Sequence, residues 1–194
     1  IFISAAPADV KRGAIGRVVP GYEAKIVNEQ GEELPRGQVG RLAVKGPTGC
    51  RYLDDARQAN YVLDGWNFPG DAFSQDEDGY FIYQARTDDM IITAGYNVAG
   101  PEVEAALLQH PAVAECGVVG KPDDERGMVI LAYVVLKPGQ PADAVQVKAL
   151  QDHVKHTLAP YKYPREVRFV SNLPRTETGK LQRFALRKMA NETT

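Results

Sequence analysis

Apolar and polar positions alternate through the first half of this chain and shift to a helical rhythm in much of the second. In "GYEAKIVNEQGEEL" (21–34) the pattern predicts a strand, an Asn–Glu–Gln–Gly turn and a polar strand start. In "GQVGRLAVKGP" (37–47) Leu42 and Val44 fall on one face, the period of two that marks a half-buried strand. "GYFIYQAR" (79–86) predicts another strand, after the acidic turn "SQDEDG". Strands at short spacing between Gly-rich turns predict a meander or a small barrel.

From about Asp88 the pattern changes. "DDMIITAGYNV" (88–98) predicts a hairpin. "GPEVEAALLQHP" (100–111) predicts a helix, with Gly100 near the N-cap, Pro101 at the first helical position, and Glu102 and Glu104 near the positive helix end. Val103, Ala106 and Leu107 recur at helical spacing, and His110–Pro111 is the expected stop. "MVILAYVVL" (128–136) is apolar throughout and predicts a strand covered on both faces. Val147, Leu150, Val154 and Leu158 predict an amphipathic helix. "REVRFV" (165–170) predicts a strand and "KLQRFALRKM" (180–189) a last, basic helix. The fold class expected is α+β, a strand-rich part over residues 1–87 followed by a small α+β domain over 88–194.

Composition narrows the function classes. Of 194 residues, 44% are hydrophobic and 25% charged, as in ordinary globular proteins, and the net charge is -2. That balance points to no nucleic-acid or membrane partner in general, so any basic site has to be local. No stretch reaches the roughly 18 apolar residues of a membrane span. Cys50 and Cys116 are the only cysteines and give neither a metal spacing nor a disulfide framework. A reducing, cytoplasmic setting is expected. The opening "IFISAAPADV" has no initiator methionine and no charged region before its apolar residues, and reads as the inside of a longer protein.

Several residues carry candidate chemistry beside a plainer reading. "QDEDG" could suggest a calcium loop, but with Gly79 sixth the twelfth position is Ala85, where a bidentate glutamate is needed; a hairpin turn is the expectation. His153 and His156 lack a third ligand and are expected to be solvated, so no metal site is assigned. Asp71 in "GWNFPGD" (65–71) is either a turn carboxylate or an acceptor for ribose hydroxyls. Arg86 and Asp88 are either a charged inter-domain loop or functional. The Gly–Lys pair in "PRTETGKLQR" (174–183) suggests phosphate binding, yet Pro174 and Leu181 stand where a P-loop needs Gly and Ser or Thr. A lysine at a helix start is electrostatically poor unless it meets an anion there, and this gives Lys180 a functional reading.

Taken together, "GQVGRLAVKGP", "GWNFPGD", "ARTDDMIITAGYNVAGPEVE" and "PRTETGKLQR" resemble, in order, the signatures of the acyl-adenylate-forming superfamily. "GWN", "GYNVAGPEVE" and "PYKYPREVRFV" look most like benzoate and 2-aminobenzoate CoA ligases. The resemblance implies that 1–87 is the last β subdomain of a large AMP-binding domain and 88–194 a mobile C-terminal domain. It implies ATP, Mg²⁺ on the phosphates, CoA and an aromatic carboxylic acid as cofactor and substrates, with a homo-oligomer compatible. It assigns Asp71 to the ribose hydroxyls, Arg86 to the ribose and phosphates, Asp88 to the hinge, Gly95 with Tyr96 to the loop lining the CoA passage, and Lys180 to the adenylation site. Pro69 and Ala85 depart from the usual Thr and Gly, and Asn97 stands where many relatives carry an Arg that makes a phosphate contact. The family's Ser/Thr/Gly-rich phosphate loop is absent from these residues, so this chain alone is expected to be inactive. A carrier-loading adenylation domain and a non-catalytic regulatory domain are the alternative readings.

Overall fold

The computed structural model describes residues 2–48 and 61–192, so Cys50 lies outside the described residues. The chain divides into two compact units, Ile1–Asp88 and Asp89–Thr194.

The first unit is a sheet structure. A two-stranded ribbon pairs β1 (Ile3–Ser4) with β2 (Arg17–Val18). The main sheet contains β3 (Glu23–Val27), β4 (Gly40–Lys45), β5 (Val62–Leu63), β6 (Trp66–Asn67), β7 (Asp71–Gln75) and β8 (Phe81–Arg86). The β3–β4 connection is closed by Asn28, whose Oδ1 accepts the Glu32 N–H at 2.9 Å. Leu42 and Val44 do share a face, packed with Ile26, Phe73 and Phe81. The expected barrel does not close. Strand β4 pairs with β3 along one edge, while its other edge is divided between β7, at Gly40 and Arg41, and β6, at Val44. The sheet therefore forks instead of curling round, and among the described residues β3 pairs with no strand but β4. The acidic turn is a hairpin device. The Asp76 carboxylate accepts the N–H groups of Asp78 and Tyr80, and Lys11 holds Asp76 at 2.6 Å and Asp78 at 2.9 Å. The Lys11 hydrogen bond holds the Asp76 carboxyl below the usual carboxylate range.

The second unit is a sheet between helices. Its strands are β9 (Met90–Thr93), β10 (Tyr96–Ala99), β11 (Val113–Asp123), β12 (Gly127–Leu136) and β13 (Glu166–Phe169), in the order β10–β9–β12–β11 with β13 parallel to β12. The helices are α1 (Gly100–Leu107), α2 (Ala144–Thr157) and α3 (Arg183–Glu192). Alternation along β12 sends Ile130, Ala132 and Val134 to one face, against Val103 and Leu107 of α1 and Leu150 and Val154 of α2. Leu131 and Tyr133 point the other way, against Leu186 and Ala190 of α3. Each fully buried Val, Leu or Ile among them contributes about 1.5–3 kcal/mol. Gly117 permits the close seating of α3, because a Cβ there would lie 2.6 Å from the Leu186 side chain.

The helix boundaries refine the expectations. Regular α1 ends at Leu107, before His110–Pro111, and tighter turns carry the chain onward. Asp143 caps α2 by accepting the Gln146 N–H at 2.9 Å. The buried stripe of α2 is Gln146, Leu150 and Val154, with Val147 and Leu158 only half-buried and Leu158 already past the helix end. Helix α3 begins at Arg183, so Lys180 precedes it and is not a helix-start residue.

His153 is not solvated as expected: its Nε2 donates to the Ala106 carbonyl at 3.0 Å and its ring packs edge-on against His110 at 5.3 Å. His110 Nδ1 accepts the Ala112 N–H at 3.2 Å, a bond that only the unprotonated nitrogen can make. Burial, and then the neighbouring His153, hold the His110 pKa below its usual value. The folded unit thus prefers neutral His110, so its contribution to stability is present above the unfolded pKa and is lost as pH falls from there through the lowered folded value. Thermal unfolding followed from about pH 7.5 to about pH 5.5 should show a fall that His110→Asn removes, since an Asn side chain can still accept the Ala112 N–H. An unchanged pH slope in the variant would refute this account.

Candidate functional site

Asp71 and Arg86, singled out separately in the sequence, are cross-strand partners. The Pro69–Gly70 turn delivers Asp71 as the first residue of β7, in register with Arg86, the last residue of β8. Arg86 Nη1 donates to Asp71 Oδ1 at 3.2 Å, and the Thr87 N–H closes on the Gly70 carbonyl at 2.9 Å. A bulge between Ala72 and Phe73 in the register of β7 against β8 alters the ladder immediately beside the pair. The Arg86 side chain is 54% exposed and that of Asp71 26%, so solvent reaches both, while Ala85, the preceding residue of β8, is buried. Among the described residues no second donor reaches the Asp71 carboxylate, which leaves an oxygen for a hydroxyl-bearing ligand.

Asp88 is exposed in the 3-10 turn Thr87–Asp89, at the end of the first compact unit.

Lys180 sits in a turn closed on itself. The Lys180 N–H donates to Thr176 Oγ1 at 3.0 Å, and the Thr176 N–H donates to the Lys180 carbonyl at 2.9 Å. Arg175 braces the turn, donating to the Gly179 carbonyl at 2.7 Å and pairing with Glu115 of β11 at 2.5 Å. Leu181 returns to form a bridge with Arg175 and packs into the core under α3. The Lys180 side chain is exposed, and among the described residues no carboxylate pairs with its ammonium. It is therefore a mobile point charge on a fixed base, suited to meet an anion.

Gly95 and Tyr96 occupy a different place. Thr93 pairs with Tyr96 across the β9–β10 hairpin, so Ala94 and Gly95 form the loop, with φ of 48° and 81°. Two successive positive φ values are the primed turn that suits hairpin twist, and Gly95 takes its share at little steric cost. Tyr96 stacks on Tyr161 with centroids 4.3 Å apart. Lys180 and Gly95 belong to opposite ends of the strand order, since the Lys180 turn is tied to β11 and Gly95 joins β9 to β10. Sequence reasoning overlooked Tyr161 and Arg175. Nothing local announces either: Tyr161 is one of several tyrosines near a proline, and Arg175 reads as a surface residue of the turn. Among the described residues there is no group of three histidine, cysteine or acidic side chains that could hold a metal. No described helix is long and apolar enough to cross a membrane. Burial pushes the Cys116 thiol up to about 12, so it is a core residue and not a nucleophile.

Ala94 is the unfavourable member of its turn, because a side chain in the left-handed region costs roughly 1–2 kcal/mol unless it is Gly, Asn or Asp. Ala94→Asn should therefore stabilise the second unit by about 0.5–1 kcal/mol in urea unfolding. A loss of stability would mean that the turn is not of this type.

Comparison with known proteins places this geometry in a family. The profile of the AMP-binding enzyme C-terminal domain matches residues 102–180, and that of the AMP-binding enzyme matches residues 1–52. The chain is 43% identical over 183 residues to the uncharacterized acyl–CoA ligase YtcI of Bacillus subtilis (strain 168), covering 92% of this chain and 35% of that protein. It is 40% identical to the benzoate–CoA ligase of Thauera aromatica, covering 96% of this chain and 36% of the relative. Its structure is similar to that of the anthranilate CoA ligase AuaEII in complex with anthranoyl-AMP, with a TM-score of 0.77 and 39% identity, covering 99% of this chain and 38% of the other. The chain thus spans little more than a third of the length of these relatives. With its motifs in family order and its fold matched nearly end to end, the chain belongs to the AMP-binding, adenylate-forming enzyme family.

Proposed function

We propose that this chain works within an ATP-dependent, AMP-forming acid–CoA ligase whose acid is aromatic, of the benzoate or 2-aminobenzoate type. The observation that carries the reading is the Asp71–Arg86 pair, a carboxylate and a guanidinium 3.2 Å apart and open to solvent in a chain of an AMP-binding family. Likeness to a benzoate–CoA ligase and to an anthranilate CoA ligase supports the choice of acid.

In this reading Asp71 accepts the ribose hydroxyls of ATP and Arg86 steadies the ribose and phosphate side. Mg²⁺ would supply charge neutralisation on the phosphates. In the first half-reaction an oxygen of the carboxylate attacks the α-phosphorus, and the bond to pyrophosphate breaks. Both partners are anionic, so negative charge gathers in the transition state, where the unpaired Lys180 ammonium is of most use. In the second half-reaction the CoA thiol, losing its proton, attacks the acyl carbonyl and AMP leaves. Gly95 and Tyr96 line the entry for the thiol arm. Rotation at Asp88 exchanges the Lys180 turn for the Gly95 hairpin, a gating by domain motion. Separation of the two loops at opposite ends of one strand order supports that division of labour. A cytoplasmic setting agrees with the soluble substrates.

The reading is tested in a ligase carrying these residues. Lys180→Ala should slow acyl-AMP formation by ~10²-fold or more, the scale of losing one positioned charge stabiliser. Thioester formation from supplied acyl-AMP should change far less. An equal fall in both half-reactions would contradict alternation.

A further inference from the structure

The second unit contains a half-buried ionic cluster that the reaction as described leaves unused. Asp89 is the first residue of that unit, and its side chain is only 16% exposed. Its Oδ1 accepts from Arg187 Nη1 at 2.9 Å, and its Oδ2 lies 3.9 Å from Arg183 Nη1. Arg183 pairs through Nη2 with Glu104 of α1 at 2.5 Å, and Glu104 Oε1 accepts the Val118 N–H of β11 at 2.9 Å. Two guanidinium groups from α3 thus meet two carboxylates, one on α1 and one beside the unit boundary. Arg183 and Arg187 are four apart and share a helix face. The Arg183 Nε–H is buried and meets no acceptor among the described residues, so the two carboxylates fix this side chain unaided by any bond along its stem.

Lys180 is mechanically continuous with this cluster. Its turn leads directly into α3, and the Gln182 N–H is fixed to the Pro174 carbonyl at 3.0 Å, so the turn and the helix start form one closed piece. The apolar contacts of α3, through Leu186 and Ala190, choose which face of the helix meets the sheet. Directional ion pairs at Asp89 and Glu104 add a constraint along the helix axis. We propose that Asp89 is a positioning residue for Lys180: through Arg187 and Arg183 it fixes α3, and hence the Lys180 turn, to the first residue beyond the unit boundary. A rotation at Asp88 then carries Lys180 as part of a rigid body instead of dragging a loosely seated helix. The inference rests on the reading of Lys180 as the adenylation cation.

The experiment has two arms. In the chain itself, amide exchange in Asp89→Asn should quicken by at least ~tenfold in α3 and at Thr176 and Lys180, while the β11 and β12 amides stay within ~threefold of the unsubstituted chain. Uniform acceleration through the unit would mark Asp89 as merely structural and overturn the proposal, as would no acceleration at all. In a ligase carrying these residues, Asp89→Asn should lower kcat for acyl-AMP formation by at least ~tenfold with KM for ATP nearly unchanged, and leave thioester formation from supplied acyl-AMP within ~twofold. Asp89→Glu should restore most of the loss. Equal loss in both half-reactions would overturn the proposal. Should Asp89→Asn not fold, Arg187→Gln, which removes the more exposed leg of the cluster, serves both arms with the same expected results. Lys180→Ala is the control: if it leaves adenylation intact, the reading of Lys180 fails, while the exchange arm still decides whether Asp89 holds the turn.

Discussion

Residues Ile130 to Val134 of β12 are buried on both faces of their sheet, and the positions of the second unit's candidate groups follow from how those faces are covered. One face needs two helices, the other needs α3. Because α3 must lie against Leu131 and Tyr133, the turn that enters it must cross beside β11, where Gly117 leaves room and Glu115 meets Arg175. Lys180 is therefore placed by a hydrophobic requirement, and only its own charge and exposure are left free. The apolar covering selects the face, and the ionic cluster around Asp89 and Glu104 selects where on that face the helix sits.

The first unit shows the opposite economy. Its candidate pair needs no core of its own, because register alone brings Asp71 opposite Arg86. A slip of one residue between β7 and β8 would leave the two on opposite faces of the sheet. The bulge beside them and the tight Pro69–Gly70 entry hold the register where the pair forms.

Local pattern made several elements legible. The two-face apolar run of β12, the hairpin after Asp88, the stripe of α2 and the shared face of Leu42 and Val44 all rest on period, which a chain cannot alter without burying polar groups. Local pattern failed where a neighbour distant in sequence decides. His153 reads as a solvated histidine until α1 presents the Ala106 carbonyl and His110. Lys180 reads as a helix-start lysine until the hydrogen bonds of Thr176 take its backbone for a turn. Short strand spacing suits a meander and a small barrel alike, and strand pairing, not spacing, separates them.

By itself, then, the sequence determined the fold class, the strongly periodic segments and the family whose motifs the chain carries, because periodicity and turn chemistry are local and the motifs are contiguous; β11 and the short strands around Asp71 lacked such a signal. Only the tertiary structure decided that Asp71 and Arg86 meet, that Tyr96 stacks on Tyr161, and that the Asp89 carboxylate answers two arginines almost a hundred positions onward. Those contacts depend on register and helix placement, which are set by burial summed over the whole unit, and no short window of residues carries that sum.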